Sequence, residues 1–298
     1  MKKFITITLA TVTVMAALAG CGNGNGNGND GGNSNNSGSN SAKRTVKVIQ
    51  VDLTDEEYAF GVDKTQPELL NSVNDFIKQI QDDGTFDEIC NKYFGDGTPD
   101  PVTSATLDDS KDQLLVATNA AFEPFEYTQG DSYYGVDMEI AAALADYLGK
   151  ELVIQNMDFD AVCLSVGQQK CDIAMAGLTV KPDREEYVTF SSSYYVASQR
   201  LITLSDDTEF DSCTDAAAVE AILNEKDSNV KIGVQNGTTG QFYVEGDEDW
   251  EFEGFDAQAV GYKNGALAVQ DLLNGNIQYV IIDSAPAAFI TESINKMQ

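Results

Sequence analysis

The sequence predicts an α/β protein of two lobes joined by extended strands, with a ligand cleft between the lobes. From residue 113 onward, short strand-like and helix-like segments alternate, as in βαβ units built around a mostly parallel sheet. A long extended segment at 187–204 interrupts this alternation, which resumes at residue 231. Two α/β sets separated by extended strands form an architecture that can enclose a small molecule.

Charge and residue counts exclude several classes of function. The chain has 298 residues, enough for one or two domains with a real core. Its 18 basic and 48 acidic residues give a net charge of −30, which repels nucleic acid and anionic lipid headgroups. It contains no histidine, the commonest general base and the usual zinc ligand. Most hydrolase and metalloenzyme mechanisms are therefore disfavoured, and we expect neither a cofactor nor a metal site.

The first residues have the pattern of a secretion signal. Lys2 and Lys3 precede an apolar run at 4–18, and the order LAGC then ends at Cys21. This order resembles a bacterial lipobox, in which the cysteine is lipidated and becomes the first residue of the mature protein. An ordinary secretory peptide with a chance cysteine is the alternative. Residues 22–44, rich in Gly, Asn and Ser, should form a flexible tether, so we expect a lipid-anchored protein on the extracellular face of the membrane.

The four remaining cysteines are Cys90, Cys163, Cys171 and Cys213. Export permits disulfides, but the irregular spacing specifies none of the three possible pairings. Cys163 and Cys171 lie in apolar patterns, which favours buried free thiols at both positions.

Elements between the tether and residue 112 follow from local patterns. Apolar residues at spacings of three and four predict a helix that Pro67 opens and Gly84 stops. A second short amphipathic helix follows, and a polar stretch with two prolines then indicates a surface connection. The predicted order is a strand at 46–53, an extended run at 58–62, helices at 67–83 and 86–94, and the connection at 95–112.

From residue 113 the alternation sets the remaining elements. Predicted strands are 113–119, 151–157, 171–177, 231–235, 255–262 and 277–283. Predicted helices are 136–150, 159–170, 238–246, 265–275 and the segment from 284 to the end of the chain.

Polar and aromatic residues follow several of these strands. Phe122 and Phe125 lie on the loop after the strand at 113–119, and their side chains could either pack in the core or form a platform for a ligand. Arg184 follows the strand at 171–177, and because the chain has only three arginines, few residues could clamp a carboxylate bidentately. A surface arginine beside Glu185 and Glu186 is the alternative.

Two further features complete a binding chemistry. The amides of Thr238 and Thr239 open a predicted helix, where the helix dipole favours an anion. Asp283 ends a nearly all-apolar strand, either as a ligand group or as the N-cap of the next helix. An arginine and a helix start suit a carboxylate, an aspartate suits an ammonium, and aromatic faces suit the body between them. Together they describe a site for an α-amino acid at the carboxyl ends of the strands.

A family resemblance supports this interpretation. The stretches TNAAFEPFEY, YYGVDMEIAAALA, MDFDAV, CDIAMAGLTVKPDR, FSSSYY, VQNGTTG and DLLNGNIQYVIID resemble, in that order, the polar amino-acid family of bacterial solute-binding proteins for ABC importers. The resemblance covers about 46–298. It implies a periplasmic-binding-protein-like type II fold, capture of an amino acid by lobe closure, and delivery by a monomer to an importer permease.

The resemblance also implies a role for each matching position. Phe122 and Phe159 would sandwich the ligand, with Phe125 as a supporting wall. The α-carboxylate would be held by Arg184, Thr179, Thr238 and Thr239. The α-ammonium would be received by Asp283 and the carbonyl of Gly177, and side-chain selectivity would be set by Asn119 and Gln235.

Asn119 departs from the family pattern, because members that prefer cationic amino acids generally carry an aspartate there. A buried cationic side chain would lack a partner at Asn119, and an unpaired buried charge is costly. We therefore expect a neutral polar ligand such as glutamine or cystine. A cationic ligand stays the alternative if Glu126 or an acidic loop supplies the missing charge.

The order of the motifs is a second departure. In the family, the segments YAFGVDK, PELL and GTFDEICNKYFG end the chain, whereas here they come first. The sequence thus resembles a circular permutant, and chain ends that lie close together make such a rearrangement tolerable. It predicts a lobe one at 59–200, which includes the linker at 95–112, and a lobe two assembled from 45–58 and 201–298.

Two other functions use the same fold. Some exported dehydratases that act on amino-acid-like acids share it, but they need an acid or base aimed at the reacting carbon. The carboxylates that can be placed here, Asp283 and Glu126, have binding or structural interpretations, so we expect no enzymatic activity. A sensor that has lost transport would show the same pocket.

Overall fold

The computed structural model of the protein describes residues 43–298, so the predicted signal segment, Cys21 and nearly all of the tether lie outside the described residues. No helix within this described part is long and apolar enough to cross a membrane.

Short strands make up most of the β structure. They are β1 (Val46–Val48), β2 (Glu56–Tyr58), β3 (Gly61–Asp63), β4 (Gln113–Thr118), β5 (Ala121–Phe122), β6 (Glu126–Gln129), β7 (Ser132–Tyr134), β8 (Glu151–Asn156), β9 (Ile173–Ala174), β10 (Val188–Phe190), β11 (Tyr195–Ala197), β12 (Gln199–Leu204), β13 (Lys231–Gln235), β14 (Gln258–Tyr262) and β15 (Tyr279–Asp283).

The helices are α1 (Pro67–Asp83), α2 (Thr85–Phe94), α3 (Val136–Leu148), α4 (Val162–Gly167), α5 (Ala216–Leu223), α6 (Thr239–Glu245), α7 (Gly265–Asn274) and α8 (Ser284–Met297). Two 3₁₀ turns occupy Phe159–Ala161 and Arg184–Glu186.

Two five-stranded sheets organise the fold. Sheet one has the order β10-β3-β9-β4-β8, and sheet two has the order β1-β12-β15-β13-β14. In sheet one, β4 runs parallel to β8 and β9, and in sheet two β13 runs parallel to β14 and β15. The other pairs in both sheets are antiparallel. Four of the five strands in each sheet therefore point the same way, as expected, and the reversed strands, β3 and β12, enter from the segments that cross between the sheets rather than through βαβ crossovers.

The first helices form where the sequence predicts them. Pro67 occupies the first turn of α1, and Gly84 ends it in the left-handed conformation, with φ of 89°. The apolar stripe buries Phe76 and Ile77 against the core. The helix predictions for α1 and α2 are confirmed.

Two extended segments connect the sheets. Strands β2 and β11 pair antiparallel, with Tyr58 opposite Tyr195, and continue into β3 of sheet one and β12 of sheet two. Strand β1 pairs with β12 through Val46 and Leu204, and the side chain of Asn295 in α8 exchanges two hydrogen bonds with the backbone of Val46. The start and the end of the described chain therefore meet at sheet two.

Several elements differ from their predicted extent. Only Val46–Val48 of the predicted first strand enters the ladder, although Ile49 and Leu53 still donate backbone hydrogen bonds to β12 at 2.8 and 2.9 Å. The strand predicted at 171–177 keeps two ladder residues, since the backbone beyond it turns at Gly177, with φ of +53°. The β5–β7 hairpin and α5 have no counterpart among the predicted elements.

The connection at 95–112 is irregular and mostly exposed. Val102 is its buried point, 5 % exposed, and pairs with Tyr133 in an isolated bridge. Cys163 and Cys171 are buried free thiols, as expected, and Cys90 and Cys213 are free and half-buried.

Candidate functional site

The carboxyl ends of β4, β9, β13 and β15 approach one another between the two sheets. Gln235 Nε2, after β13, donates to Asn119 Oδ1, after β4, at 3.0 Å. A Cβ placed on Gly237 would lie 3.1 Å from Cβ of Asp160, so the backbone of one side touches the other. The two sheets thus meet across a closed cleft, and the predicted site residues line it.

Arg184 is a buried cation at this cleft. The residue is 7 % exposed, which excludes the surface alternative. Its guanidinium donates from Nη1 to the carbonyl of Thr179 at 2.8 Å and from Nη2 to the carbonyl of Gly237 at 3.2 Å. It also lies over the ring of Phe159, 5.3 Å from the centroid. Within residues 43–298 it forms no ion pair, so its charge is available to an incoming carboxylate.

Asp283 lies at the amino end of α8 but does not cap it with its side chain. Its Oδ2 instead accepts a hydrogen bond from the hydroxyl of Tyr58 at 2.5 Å. Burial, together with the nearby negative charge of Glu56, raises the pKa of Asp283 to about 7, although the Tyr58 hydrogen bond acts in the opposite direction. A positive group beside Asp283 would favour its ionised form, as an α-ammonium would.

Glu56 is the site residue that the sequence did not reveal. It is 4 % exposed, and its Oε2 accepts hydrogen bonds from the hydroxyls of Thr179 at 2.5 Å and Thr239 at 2.9 Å. Its Oε1 accepts from Gln199 Nε2 at 3.1 Å. The hydroxyl of Thr179, expected to serve a ligand carboxylate, therefore donates to Glu56 in this structure, as does the hydroxyl of Thr239, of which only the amide was expected to contact the ligand.

The aromatic residues divide into a platform and a wall. Phe122 is 5 % exposed and lies over Gly177, where a Cβ would come 3.0 Å from the ring and φ is +53°, so the position favours glycine. Phe125 is fully buried and packs edge-on against Tyr195, with ring centroids 4.9 Å apart. Phe159 is half-buried and faces Arg184. Phe122 and Phe159 can thus border a ligand, while Phe125 supports them from the core.

The residues expected to set selectivity are neutral. Asn119 donates from Nδ2 to the carbonyl of Met157 at 2.6 Å, which fixes the amide orientation. Gln235 Oε1 is buried without a hydrogen-bond partner among residues 43–298. This oxygen is therefore a free acceptor. Thr238 contributes less, because its hydroxyl donates to the carbonyl of Gln235 at 2.9 Å.

Two more buried acids lie behind the site. Asp137 accepts hydrogen bonds from the amide of Gly177 at 2.8 Å and the hydroxyl of Tyr194 at 2.6 Å, and burial raises its pKa to about 6. Both carboxyl oxygens of Glu126 are buried without a partner among the described residues. Burial and the negative charges of Asp137 and Asp283 hold the pKa of Glu126 well above its usual range. This environment disfavours the ionised form of Glu126.

The family model of the bacterial extracellular solute-binding proteins, family 3, matches residues 6–96 and 114–280. The chain belongs to this family. Members of family 3 are extracellular. In this chain, Arg184 and Asp283 are both buried at the cleft between the two sheets.

Curated relatives share parts of the chain. The arginine-binding extracellular protein ArtP of Bacillus subtilis (strain 168) is 36% identical over 96 residues, 32% of this chain and 38% of that protein. ABC transporter arginine-binding protein 1 of Escherichia coli (strain K12) is 27% identical over 175 residues, 58% of this chain and 64% of that protein. The matched part thus spans less than two thirds of either relative. The cyclohexadienyl dehydratase of Pseudomonas aeruginosa is 32% identical over 127 residues, 41% of this chain and 47% of that enzyme.

Solved structures share the type II binding-protein fold. An ancestral arginine-binding protein bound to arginine superposes with a TM-score of 0.52 and 28% identity, covering 62% of this chain and 76% of that chain. An ancestral arginine-binding protein bound to glutamine superposes with a TM-score of 0.50 and 27% identity, with the same coverage of both chains. The ancestral amino acid-binding protein AncCDT-1, a precursor of cyclohexadienyl dehydratase, superposes with a TM-score of 0.51 and 27% identity. The match covers 70% of this chain and 78% of that chain.

Proposed function

We propose that this chain is a non-enzymatic binding protein that captures a neutral polar amino acid by lobe closure and delivers it to an ABC importer. The observation that carries the proposal is that one cleft contains both Arg184 and Asp283. Arg184 is a buried cation whose guanidinium has no carboxylate partner among residues 43–298, and Asp283 is a buried acid. A zwitterion supplies a carboxylate to the first and an ammonium to the second. Phe122 and Phe159 enclose the carbon skeleton.

The preference for a neutral side chain rests on the groups that would face it. Asn119 and Gln235 are uncharged, and the buried surroundings of Glu126 disfavour its ionised form. The free Oε1 of Gln235 can accept a hydrogen bond from a carboxamide, as in glutamine, or from the second ammonium of cystine, whose own carboxylate neutralises its charge. The side-chain cation of arginine or lysine would be buried there without a counter-ion, at a cost of several kcal/mol. Structures of ancestral arginine-binding proteins hold either arginine or glutamine, so the fold admits both ligands and the proposed preference rests on local charge.

A ligand panel tests the proposal. Melting curves of the full chain are measured with each of the twenty amino acids and cystine, and a ligand at 100 times its Kd adds about 2.7 kcal/mol of stability. We expect the largest shift with glutamine or cystine, and no shift with R184M. A large shift with arginine or lysine and none with neutral amino acids would overturn the selectivity; no shift with any amino acid would overturn the function.

The lipid anchor, the lobe boundaries and the circular permutation belong to the same proposal. The pairing of β1 with β12 and of Val46 with Asn295 supports a lobe two built from both ends of the chain. A variant that joins Gln298 to Thr45 and opens new ends within 95–112 restores the family order. We expect this variant to fold and to bind the amino acid with the same Kd. Failure to fold, measured by circular dichroism, would contradict the permutation.

A further inference from the structure

Lys181 is a second buried cation on the loop that carries Arg184. The residue is 3 % exposed, although lysine is rarely buried. Its Nζ lies 2.7 Å from Oδ2 of Asp247 and 2.8 Å from Oδ2 of Asp249. The same ammonium lies 5.1 Å from the ring centroid of Phe242 and 5.9 Å from that of Trp250. It therefore occupies a cage of two carboxylates and two aromatic rings.

The cage and the lysine come from opposite sides of the cleft. Lys181 follows β9 of sheet one, whereas the cage lies in α6 and in residues 246–254, which lead from α6 to β14 of sheet two. Opening the cleft would pull the ammonium out of the cage. We call Lys181 and its four cage residues, Phe242, Asp247, Asp249 and Trp250, the clamp.

Hydrogen bonds that do not involve Lys181 hold the cage loop together. Asp247 Oδ1 accepts hydrogen bonds from the amides of Asp249 at 2.9 Å and Trp250 at 3.2 Å. The backbones of Asp247 and Phe252 exchange hydrogen bonds at 2.8 and 3.1 Å, closing the segment into a compact loop. A preorganised partner loses little entropy when the ion pair forms.

Electrostatics favour the closed arrangement. Burial alone would lower the pKa of Lys181, but hydrogen bonds to Asp247 and Asp249 and the charge of Asp183 raise it above its ordinary value. Leaving the ammonium of Lys181 or the carboxylate of Asp247 buried and unpaired is unfavourable.

Lys263 provides an internal comparison. Its Nζ lies 3.4 Å from Oδ2 of Asp158, so it also joins sheet two to sheet one. Both side chains are solvent-exposed, 71 % and 64 %. Exposed ion pairs contribute little because water screens them. The two pairs therefore connect the same two sides of the cleft in opposite environments.

We infer that the clamp is a closure device, in which insertion of Lys181 into its cage stabilises the closed cleft and thereby slows release of the bound molecule. Stabilisation of the ligand-free closed state needs no assumption about the ligand. The effect on release rests on the proposed function.

The chain's single tryptophan allows a direct test, because Trp250 is part of the clamp. The full chain is compared with K181M, D249N and the double variant by small-angle X-ray scattering and by acrylamide quenching of Trp250, first without ligand. K181M should increase the radius of gyration and the quenching of Trp250, and D249N should add nothing to K181M, because both break one interaction. K263M is the matched control and should leave both measurements unchanged.

The second arm measures release of glutamine or cystine by stopped-flow fluorescence. Dissociation should be at least about tenfold faster in K181M than in the wild type, and unchanged in K263M. Should K181M fold poorly, D249N carries the same test, since Asp249 is on the rim of the cage, 40 % exposed. Scattering and quenching that are the same in K181M and D249N as in K263M and the wild type would overturn the clamp. Clamp opening in the scattering arm with no amino acid bound in the release arm would contradict the proposed function and leave the clamp supported.

Discussion

Lys181 and Arg184 lie three residues apart on one loop, both buried, and their surroundings are opposite. Lys181 is surrounded by the carboxylates of Asp247 and Asp249, whereas among the residues the structure describes the guanidinium of Arg184 donates only to carbonyl groups and lies over a ring. A buried cation that the protein itself neutralises belongs to the structure. A buried cation with no internal anion is poised for an external one, so counter-ions, rather than burial, separate the proposed closure residue, Lys181, from the proposed ligand-binding residue, Arg184.

The largest effect should come from R184M, which removes one member of this comparison. We expect a loss of at least about 100-fold in affinity for the amino acid, because a charge-assisted bidentate contact is removed. The melting temperature of the ligand-free chain should not fall, because an apolar side chain replaces a cation that had no anion. Isothermal titration and melting curves measure both. A large drop in melting temperature would show that Arg184, like Lys181, is structural.

The next largest effect should come from Asp283, the acidic group of the proposed site, as a pH dependence of the Kd. The proposed function needs ionised Asp283 to receive the ammonium, and burial and the charge of Glu56 raise the pKa of Asp283 to about 7. The Kd should therefore rise by about tenfold per pH unit as the pH falls below 7. Titrations between pH 5 and 8 measure this slope, and D283N, which binds weakly, should show none of it. A Kd independent of pH would place the ammonium elsewhere.

The same group affects the stability of the ligand-free chain in the opposite direction. Folded Asp283 keeps its proton up to about pH 7, whereas the ordinary pKa is 3.8. The folded state therefore binds more protons than the unfolded state between these values, and its contribution to stability falls as the pH rises through that window. In denaturant melts, the free energy of unfolding of the wild type relative to that of D283N should therefore be lower at pH 7 than at pH 5.

A smaller effect should follow from N119D, which adds an anion where the side chain of the ligand is expected. The introduced carboxylate could still accept a hydrogen bond from Gln235 but would face the carbonyl of Met157 without a donor. We expect the ratio of affinities for arginine and glutamine to shift by about tenfold toward arginine. Competition titrations measure the ratio. An unchanged ratio would show that the ligand side chain does not reach this position.

The smallest effect should come from K263M. The pair of Lys263 with Asp158 spans the cleft but is exposed, so the melting temperature and the Kd should both stay within error. An effect as large as that of K181M would mean that position across the cleft, rather than burial, determines how strongly an ion pair holds it closed.

Local signals predicted much of the fold, and long-range contacts limited the rest. The α1 helix could be predicted from Pro67, its apolar spacing and Gly84, which act within one element. Arg184 could be chosen because the chain has few arginines and this one follows a strand.

Glu56 could not be found in the same way. Its partners Thr179 and Thr239 are 123 and 183 residues away, and no local pattern distinguishes it from Glu57. The antiparallel entry of β3 and β12 was missed for the same reason, since their direction depends on where the chain crosses between the sheets.

The contact between Val46 and Asn295 has a practical use. Because both ends of the described chain leave from one corner of sheet two, a fluorescent protein fused after Gln298 would move with that half of the molecule. A second fluorophore could be inserted at the exposed turn of Asp108 and Lys111, beside sheet one. Energy transfer between the two would then follow the cleft as it opens, and the protein would become an optical reporter of its own ligand.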